Sequence, residues 1–457
     1  MSATSEHDVV VVGGGTAGCF AAATAAGEGL DVALLERKTE DEAGHISCGD
    51  ALKGKAAFPD VIDLDYLAEE SFTNEHVRRG IFENPQTEER IDIPLPEEGK
   101  IVDRKRYGEV LLEEAERAGT EIRYDTVVQD VDQDDDGRVT GVTARTNGSA
   151  ERIEADVVID GAGALSVLQD EADFGDATFD TNVKYTQFCS AYREILDVDE
   201  PVDYDDAIYF KPAEELGYIW YFPRTPTRIN VGLGFQMDRE PMELVEALRR
   251  DVEQRPEFQG AEVVDKLGAA LPTRRPYDSA VAPGFAAVGD AAGHVNPTTG
   301  GGIPGAAKAG AWAAEAAIDA VTEGDADEPM LWEYNRRVMQ DFGKDFAAMD
   351  LYNIFGTAHE VDELTDLVTA VPGQKLVDAL GSGTAEMGLW LKLKTLFKTF
   401  GHWSLLYELY QVHEKAAALK ELYGDYPATP DGLDAWQNER DAIMDDVYAI
   451  TGAEPKY

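Results

Sequence analysis

The chain has 457 residues, which is enough for two or three domains with substantial hydrophobic cores. It carries 89 acidic and 40 basic residues, so its formal net charge is −49. The negative electrostatic field of such a chain repels phosphates, which argues against a nucleic-acid partner. At 1 M salt the Debye length is about 3 Å, so the repulsion between the acidic side chains is largely screened. The composition therefore indicates a protein from a salt-rich cytoplasm, with a very acidic mesophilic protein as the alternative.

Cysteine content and hydropathy indicate a cytoplasmic protein. The three cysteines, Cys19, Cys48 and Cys189, cannot all pair and show no disulfide-framework spacing. The N-terminus has acidic residues where a signal peptide needs positive charge and an apolar core. No stretch reaches the roughly 18 consecutive apolar residues of a membrane-spanning helix. We therefore expect a cytoplasmic location, and peripheral contact with the membrane remains open.

A glycine loop follows the first apolar run of the chain. Residues 9–12 are all valine, which predicts a buried parallel strand, and Gly13, Gly15 and Gly18 follow in G-x-G-x-x-G spacing. In dinucleotide-binding units these glycines allow a tight turn, a close pyrophosphate and close helix packing. A second strand ends at Glu36, where an acid would bind a ribose hydroxyl pair. This order predicts a dinucleotide site, and a glycine-rich turn of another α/β protein is the alternative.

Between residues 182 and 236 the sequence becomes rich in predicted strands. Tyr218, Trp220 and Phe222 alternate along one strand, and Ile229 to Phe235 alternate along the next. The segment 223–228 between them contains two prolines and predicts a turn. We therefore predict a hairpin that carries an apolar wall.

A second strand–loop–helix unit begins at residue 285. Its strand ends at Gly289 and Asp290, and Gly300–Gly302 opens an Ala-rich helix. The carboxylate could bind the ribityl hydroxyls of a flavin, and the helix N-terminus would favour negative charge on a reduced flavin ring. A plain turn with an N-cap Asp is the alternative. From residue 328 onward the pattern is helical.

Together these elements predict an α/β fold with a discontinuous domain organisation. A Rossmann-like dinucleotide-binding domain would comprise residues 1–175 and 281–327. An antiparallel β-sheet substrate domain would be inserted at residues 176–280. A helical C-terminal region would follow at residues 328–457.

One segment departs from the acidic background. Residues 389–403 contain three lysines and no acid among apolar and aromatic residues. Such a stretch could lie in a membrane interface. A helix that packs on the dinucleotide-binding domain with its lysines extended toward water is an equally open alternative.

Over residues 8–322 the chain resembles flavoproteins of the p-hydroxybenzoate-hydroxylase fold, and within them the geranylgeranyl reductase family. The resemblance rests on both glycine units, on Cys48–Gly49, on Val102-Asp-Arg104 and on Tyr218-Ile-Trp-Tyr-Phe-Pro223. The last is similar to the Tyr-x-Trp-x-Phe-Pro motif of the family and is the most discriminating segment. One departure is Ala162, which stands where the family has an Asp; Asp160 could substitute, or the contact could be absent.

The resemblance implies FAD as the cofactor and assigns roles to individual residues. The implied cofactor-binding residues are Gly13, Gly15, Ala17, Gly18, Glu36, Arg37, Cys48, Gly49, Arg104, Val128, Gly289, Asp290, Gly301, Gly302 and Ile303. The implied substrate-binding residues, which line a prenyl tunnel, are Tyr218, Trp220, Phe222 and Pro223. The catalytic candidates for proton donation are Cys48, His294 and Tyr218; Cys48 could instead be a small buried apolar residue, and His294 could be structural. No His, Cys or Asp cluster has metal-ligand spacing, so we expect no metal.

The resemblance also implies a reaction. Geranylgeranyl reductases saturate isoprenoid C=C bonds with hydride from a reduced flavin and a proton on the neighbouring carbon, which suggests archaeal-type membrane glycerolipid biosynthesis. The sequence shows no second strand–G-x-G-x-x-G–helix unit for a nicotinamide, so ferredoxin and NAD(P)H both remain open as electron donors. The alternatives are a flavin-dependent monooxygenase or halogenase of the same fold, and a non-catalytic lipid-binding flavoprotein.

Overall fold

The computed structural model describes residues 3–52, 58–146, 148–213, 217–237, 240–370 and 403–457. The cationic segment noted at 389–403 lies outside these residues except for Trp403. The strands are β1 (Ala3–Val12), β2 (Val32–Leu35), β3 (Ala51–Leu52), β4 (Phe72–Glu83), β5 (Arg90–Val102), β6 (Glu121–Arg123), β7 (Thr126–Gln133), β8 (Val139–Thr146), β9 (Ser149–Asp160), β10 (Phe188–Asp197), β11 (Ala207–Ala213), β12 (Gly217–Thr225), β13 (Arg228–Gln236), β14 (Glu262–Pro272), β15 (Val281–Ala282) and β16 (Phe285–Ala287). The helices are α1 (Thr16–Gly27), α2 (Leu64–Ser71), α3 (Arg104–Ala118), α4 (Val167–Glu171), α5 (Pro241–Gln254), α6 (Ile303–Glu323), α7 (Glu328–Val338), α8 (Lys344–Thr357), α9 (Val361–Ala370), α10 (Trp403–Gly424) and α11 (Leu433–Thr451).

The first sheet has eight strands and a parallel centre. Its order is β15–β16–β9–β1–β2–β6, and β7 and β8 extend it as an antiparallel ladder from β9. Strand β1 pairs in parallel with β2 and β9, and β16 returns from residue 285 to pair in parallel with β9. The valines of β1 are buried, as expected for a parallel strand covered on both faces by helices such as α1. This confirms the α/β fold and the discontinuous Rossmann-like domain.

The second sheet also has eight strands, in the order β14–β10–β13–β12–β11–β4–β5–β3. All of its pairs are antiparallel except β11–β4. Strands β3, β4 and β5 come from residues 51–102, which the sequence analysis placed in the first part of the dinucleotide-binding domain. Strand β5 lies near one edge and is mostly exposed or half-buried, so its sequence lacks the continuous apolar run that marks a core strand.

Strands β12 and β13 form the predicted hairpin, but its two apolar rows lie on opposite faces of the sheet. Trp220 pairs with Gly232, and Phe222 pairs with Asn230. Because directly opposite residues share a face, the apolar row from Ile229 to Phe235 points away from the aromatic row. That apolar row belongs to a separate core cluster, and α5 packs against its strand. The prediction of one apolar wall is therefore corrected: the aromatic face of β12 meets glycines on β13.

Helices α7 to α11 form the predicted helical C-terminal region. A π-helical turn, Met339–Gly343, joins α7 to α8, and α10 packs against α8 and α11. The Trp332 ring stacks on Tyr426 with their centroids 5.5 Å apart. Lys456 is buried, and its Nζ lies 2.7 Å from a carboxylate oxygen of Asp350 on α8. Across the described ranges, none of the helices is both long and apolar enough to cross a bilayer.

Candidate active site

The first glycine loop is held by steric contacts that only glycine permits. Gly13 has a φ of +98°, and a Cβ there would lie 2.4 Å from the carbonyl oxygen of Gly161. A Cβ on Gly18 would lie 2.0 Å from the carbonyl oxygen of Gly13. Gly15 precedes α1 and provides no side-chain cap for its first N–H groups. The loop therefore lies tightly against α1, and the start of this helix presents backbone donors suited to an anion.

The Glu36 carboxylate lies beside this loop at the end of β2. One of its oxygens accepts a hydrogen bond from the Gly14 N–H at 2.8 Å, and the other accepts one from the backbone N–H of Lys38 at 2.9 Å. Strand β7, which carries the buried Val128, begins with a hydrogen bond to the Glu36 carbonyl. The neighbouring Arg37 is exposed. The structure thus places the Glu36 carboxylate at the glycine loop, and it places Val128 on the strand that begins next to Glu36.

The second glycine unit lies directly against the first. Gly289 has a φ of +63°, and a Cβ there would lie 3.0 Å from the Cβ of Ala17. A Cβ on Gly310 of α6 would lie 2.0 Å from the Ala17 carbonyl oxygen, so α6 also approaches α1 closely. Gly302 is the N-cap of α6 and provides no side-chain cap, with Gly301 just before it and Ile303 as the first helical residue. The two glycine units therefore lie against each other at Ala17.

A buried arginine lies beside this junction. Arg104 begins α3, and one of its guanidinium nitrogens donates to the Thr16 hydroxyl, in the first turn of α1, at 3.1 Å. Its Nη1 is buried and has no hydrogen-bond partner among the described residues. Burial raises the pKa of Asp290 to about 6, and the charge of Arg104 opposes that shift. A buried guanidinium with an unused donor beside an uncapped helix N-terminus fits the pyrophosphate of a dinucleotide such as FAD.

Asp160, the residue that could replace the missing middle Asp, is fully buried at the end of β9. One carboxylate oxygen accepts the Ala162 N–H at 3.0 Å, and the other accepts from the Gln169 side-chain amide at 2.9 Å. The same amide donates to the carbonyl of Ala291 at 2.8 Å. One oxygen of Asp160 thus holds the loop after β9, and the other is linked through Gln169 to the second glycine unit, which favours an indirect role.

The aromatic row of β12 meets the turn formed by Cys48 and Gly49. A Cβ on Gly49 would lie 3.1 Å from the Phe222 ring and 3.5 Å from Nε1 of Trp220. The Trp220 ring centroid lies 5.9 Å from that of Tyr218 and 6.3 Å from that of Phe222. The following residue, Pro223, is buried. The structure thus brings Trp220 and Phe222 against the predicted Cys48–Gly49 turn, with Tyr218 beside Trp220. Pro223, in contrast, pairs with Ile229 and lies on the other face of the strand.

The three candidate proton donors differ in their surroundings. Cys48 Sγ accepts the Asp50 N–H at 3.3 Å, and burial, then the Asp50 charge, raises the pKa of its thiol. The Tyr218 hydroxyl donates to the carbonyl of Thr299 at 2.8 Å, and burial raises its pKa. His294 Nδ1 accepts the Gly289 N–H at 3.1 Å, and burial lowers the pKa of its ring to about 3. All three are therefore electrically neutral near pH 7.

Sequence reasoning missed a group of buried polar side chains next to Cys48. The Asn230 amide nitrogen donates to the Cys48 carbonyl at 2.8 Å and to an Asp50 carboxylate oxygen at 2.6 Å. Its oxygen accepts from the indole of Trp220 at 2.9 Å. Arg224 Nε donates to the same Asp50 oxygen at 2.7 Å. The sequence offered no signal for this group, because Asn230 stands at a non-apolar position of an alternating strand, where a polar residue is expected to face solvent.

Sequence comparison relates the chain to enzymes of lipid biosynthesis. It is 33% identical to the digeranylgeranylglycerophospholipid reductase of Methanothrix thermoacetophila over 80% of this chain and 92% of that one. The chain belongs to the digeranylgeranylglycerophospholipid reductase family. The reductase from Sulfolobus acidocaldarius is 28% identical over 96% of this chain and 97% of its own length. These matches confirm the geranylgeranyl reductase resemblance read from the motifs.

Two family models also match the chain, and a solved structure shares its fold. Residues 8–170 match the FAD dependent oxidoreductase model. Residues 98–352, more than half of the chain, match the tryptophan halogenase model, so the chain also belongs to the family that this model describes. A geranylgeranyl bacteriochlorophyll reductase-like protein from Thermoplasma acidophilum shares the fold, with a TM-score of 0.72 and 24% identity over 90% of this chain and all of that one.

Proposed function

We propose that this protein is an FAD-dependent reductase that saturates C=C bonds of geranylgeranyl chains in archaeal-type membrane glycerolipid biosynthesis. The observation that carries the proposal is the contact of the Trp220 and Phe222 rings with Gly49, because it joins an aromatic wall to the turn beside the glycine units. The reductase names of the relatives support the same reaction class.

The residues present fit FAD as the resident cofactor. Glu36, with Arg37 and Val128 nearby, would hold the adenosine end, and the N-terminus of α1 with Arg104 would hold the pyrophosphate. The remaining residues toward the flavin end would be Cys48, Gly49, Gly289, Asp290, Gly301, Gly302 and Ile303. When bound and reduced, FAD supplies the hydride for the alkene.

The aromatic row would bind the isoprenoid chain and exclude water. An unactivated alkene is a poor hydride acceptor, so its position must be fixed by the protein. Tyr218, Trp220 and Phe222 offer ring faces for this. Pro223 pairs with Ile229 on the other face, so it would support the strand rather than contact the chain. Gly232, opposite Trp220, allows the indole to lie flat against β13.

We assign the proton to the thiol of Cys48. Its raised pKa keeps it protonated at neutral pH, and it lies in the turn that contacts the aromatic row. Tyr218 has its hydroxyl proton bonded to the Thr299 carbonyl, so its role would be to hold that loop. His294 is neutral and fixes Gly289 through its Nδ1, so its role would be structural. Cys48 would thus deliver the proton to the carbon next to the hydride acceptor.

A redox partner must supply the electrons, and we propose ferredoxin or NAD(P)H. Separate incubations with reduced ferredoxin and with NADPH, each monitored by the loss of flavin absorbance, distinguish the two.

The match to the tryptophan halogenase model supports a second candidate function, that of a flavin-dependent monooxygenase or halogenase. Oxygen consumption coupled to donor oxidation would favour that candidate.

We also propose peripheral contact with a membrane, since the substrate would be a lipid. Trp403 and Tyr407 lie one turn apart on α10 and are 40% and 57% exposed. Exposed aromatic residues at helical spacing suit a membrane interface. Flotation with anionic lipid vesicles at high salt should carry the protein upward, and alanine at both positions should reduce this. Equal flotation of the variant would remove these residues from the proposal.

The experiment that tests the proposed reaction is anaerobic. The flavin is reduced with dithionite in high salt, and a digeranylgeranylglyceryl phospholipid is added while flavin reoxidation and product mass are followed. The matched control is the same lipid with fully saturated chains. Reoxidation with a gain of two hydrogens per double bond, only with the unsaturated lipid, supports the reductase. Flavin that stays reduced until air is admitted contradicts it, and lipid binding without turnover indicates a non-catalytic flavoprotein.

A further inference from the structure

We propose that Asn230 and Asp50 are positioning residues that hold the Cys48–Gly49 turn against the indole of Trp220. Arg224 would balance the Asp50 charge within this cluster. The inference rests on the proposed reduction at this turn and adds residues that the motifs do not contain.

The Asn230 side chain is the junction of the cluster. It is fully buried, and its amide nitrogen donates both to the Cys48 carbonyl and to the Asp50 carboxylate. Its oxygen accepts the Trp220 indole N–H, which fixes the orientation of the amide because an indole N–H can only donate. One side chain thus links the aromatic row to the turn, so a shift of either is transmitted to the other.

Asp50 is held in a costly conformation and environment. Its φ is +68°, which is uncommon outside glycine, and its side chain is fully buried. One carboxylate oxygen accepts from Arg224 and Asn230, whereas the other has no partner among the described residues. Its N–H donates to Sγ of Cys48. A buried acceptor left unpaired costs stability, and departures of this kind are expected at functional sites.

Arg224 extends the cluster toward the cofactor side of the site. Besides its bond to Asp50, its Nη1 lies 3.2 Å from a carboxylate oxygen of Asp103. Asp103 is the N-cap of α3, which begins with Arg104. The contacts therefore run continuously from Trp220 through Asn230, Asp50 and Arg224 to the helix that carries the buried arginine.

The charge of Asp50 also acts on the Cys48 thiol. Burial is the largest cause of the raised Cys48 pKa, and the negative charge of Asp50 adds to it. The other titratable and charged groups that face Cys48 are Arg104, Arg193, Arg224, Tyr107 and Tyr218. The positive groups act in the opposite direction, so removal of the Asp50 charge should lower the thiol pKa.

Two substitutions test the two residues. Asn230→Ala removes the junction, and we expect kcat for lipid reduction to fall about 10- to 100-fold with flavin content retained. Alkylation of Cys48 by iodoacetamide, followed by peptide mass, should become about tenfold faster because the turn loses a restraining bond. Asp50→Asn keeps a residue that tolerates positive φ, and the pH profile of Cys48 alkylation should move to lower pH. The buried Cys19 provides the internal reference.

The matched control is Asp197→Asn, the same substitution in the same sheet at an exposed ion pair with Arg228. It should change none of these readouts. Should Asn230→Ala prevent folding, Trp220→Phe breaks only the indole bond and should still speed alkylation of Cys48. Unchanged Cys48 alkylation in Trp220→Phe and in Asp50→Asn would overturn the positioning role. Absence of lipid turnover in the wild-type protein with altered alkylation in the variants would instead contradict the proposed function and support the positioning role.

Discussion

Replacement of Gly232 by alanine tests whether the Trp220 indole lies as close to β13 as the structure shows. A Cβ at this position would lie 2.1 Å from Cζ2 and 2.4 Å from Cε2 of the indole. Both distances are far below ordinary van der Waals contact, so the ring must move away from the sheet. Since Nε1 of Trp220 donates to Asn230 at 2.9 Å, that hydrogen bond is expected to break as well.

The expected change in the free energy of unfolding is the sum of two destabilising contributions and one stabilising contribution. Overpacking of a closed core costs about 1–3 kcal/mol, and loss of one hydrogen bond costs about 1 kcal/mol more. Against this, alanine restricts the unfolded chain and stabilises the folded state by about 0.4–1 kcal/mol. We therefore expect Gly232→Ala to lower the free energy of unfolding by about 1–3.6 kcal/mol. It should also lower lipid turnover per bound flavin, because the displaced indole is part of the aromatic row.

Gly234→Ala is the matched control on the same strand and face. The nearest atom to its added Cβ is Sγ of Cys189 at 3.7 Å, which is ordinary contact, so its stability should stay within about 1 kcal/mol of wild type. Urea unfolding of the flavin-loaded proteins at one fixed high salt concentration gives both values. Equal stability of the Gly232 and Gly234 variants would refute the tight packing of Trp220 on β13.

Three further predictions concern the cofactor, the buried histidine and the net charge. Glu36→Ala should weaken FAD binding, because the Gly14 N–H and the ribose both lose an acceptor; an unchanged ratio of flavin to protein absorbance after dialysis would contradict this. The pKa of His294 is about 3 in the fold against 6.5 ordinarily, so the unfolded chain takes up its proton first as the pH falls. Its contribution to stability is thus lost from about pH 6.5 toward 3, and His294→Gln should flatten the pH dependence of unfolding, whereas an equal slope would speak against it. With a net charge of −49, the melting temperature should fall as salt is removed, and a salt-independent value would rule out the halophilic interpretation.

The glycine units were predictable because sterics alone select their residues. Gly13 and Gly18 stand where any Cβ would meet backbone atoms, so the sequence must carry glycine at that spacing. The β12–β13 hairpin was predictable from alternation, but its register was not. A shift of one residue moves a whole row to the other face, and the turn geometry that sets the register has no such signature. The second sheet accordingly separates two apolar rows that look alike in sequence.

The polar cluster could not be predicted from sequence because its partners are far apart along the chain. Asp50 bonds to Arg224 and Asn230, which follow it by 174 and 180 residues. No periodicity links such positions, and β3, which begins directly after Asp50, is only two residues long. Asn230 gave no local signal either, since it alternates with the apolar residues of its strand and its burial under the aromatic row appears only in the structure.

The contacts of β12 explain why its aromatic motif and the glycine units occur together in one chain. The Tyr218 hydroxyl bonds to the carbonyl of Thr299, just before the glycines that open α6. Through Asn230, the Trp220 indole is linked to the Cys48 carbonyl on the other side. The same strand is thus bonded directly to one loop of the site and, through Asn230 of β13, to the other. Since these bonds fix the loops relative to the aromatic faces, an aromatic row that binds an isoprenoid would also set the geometry for hydride and proton delivery.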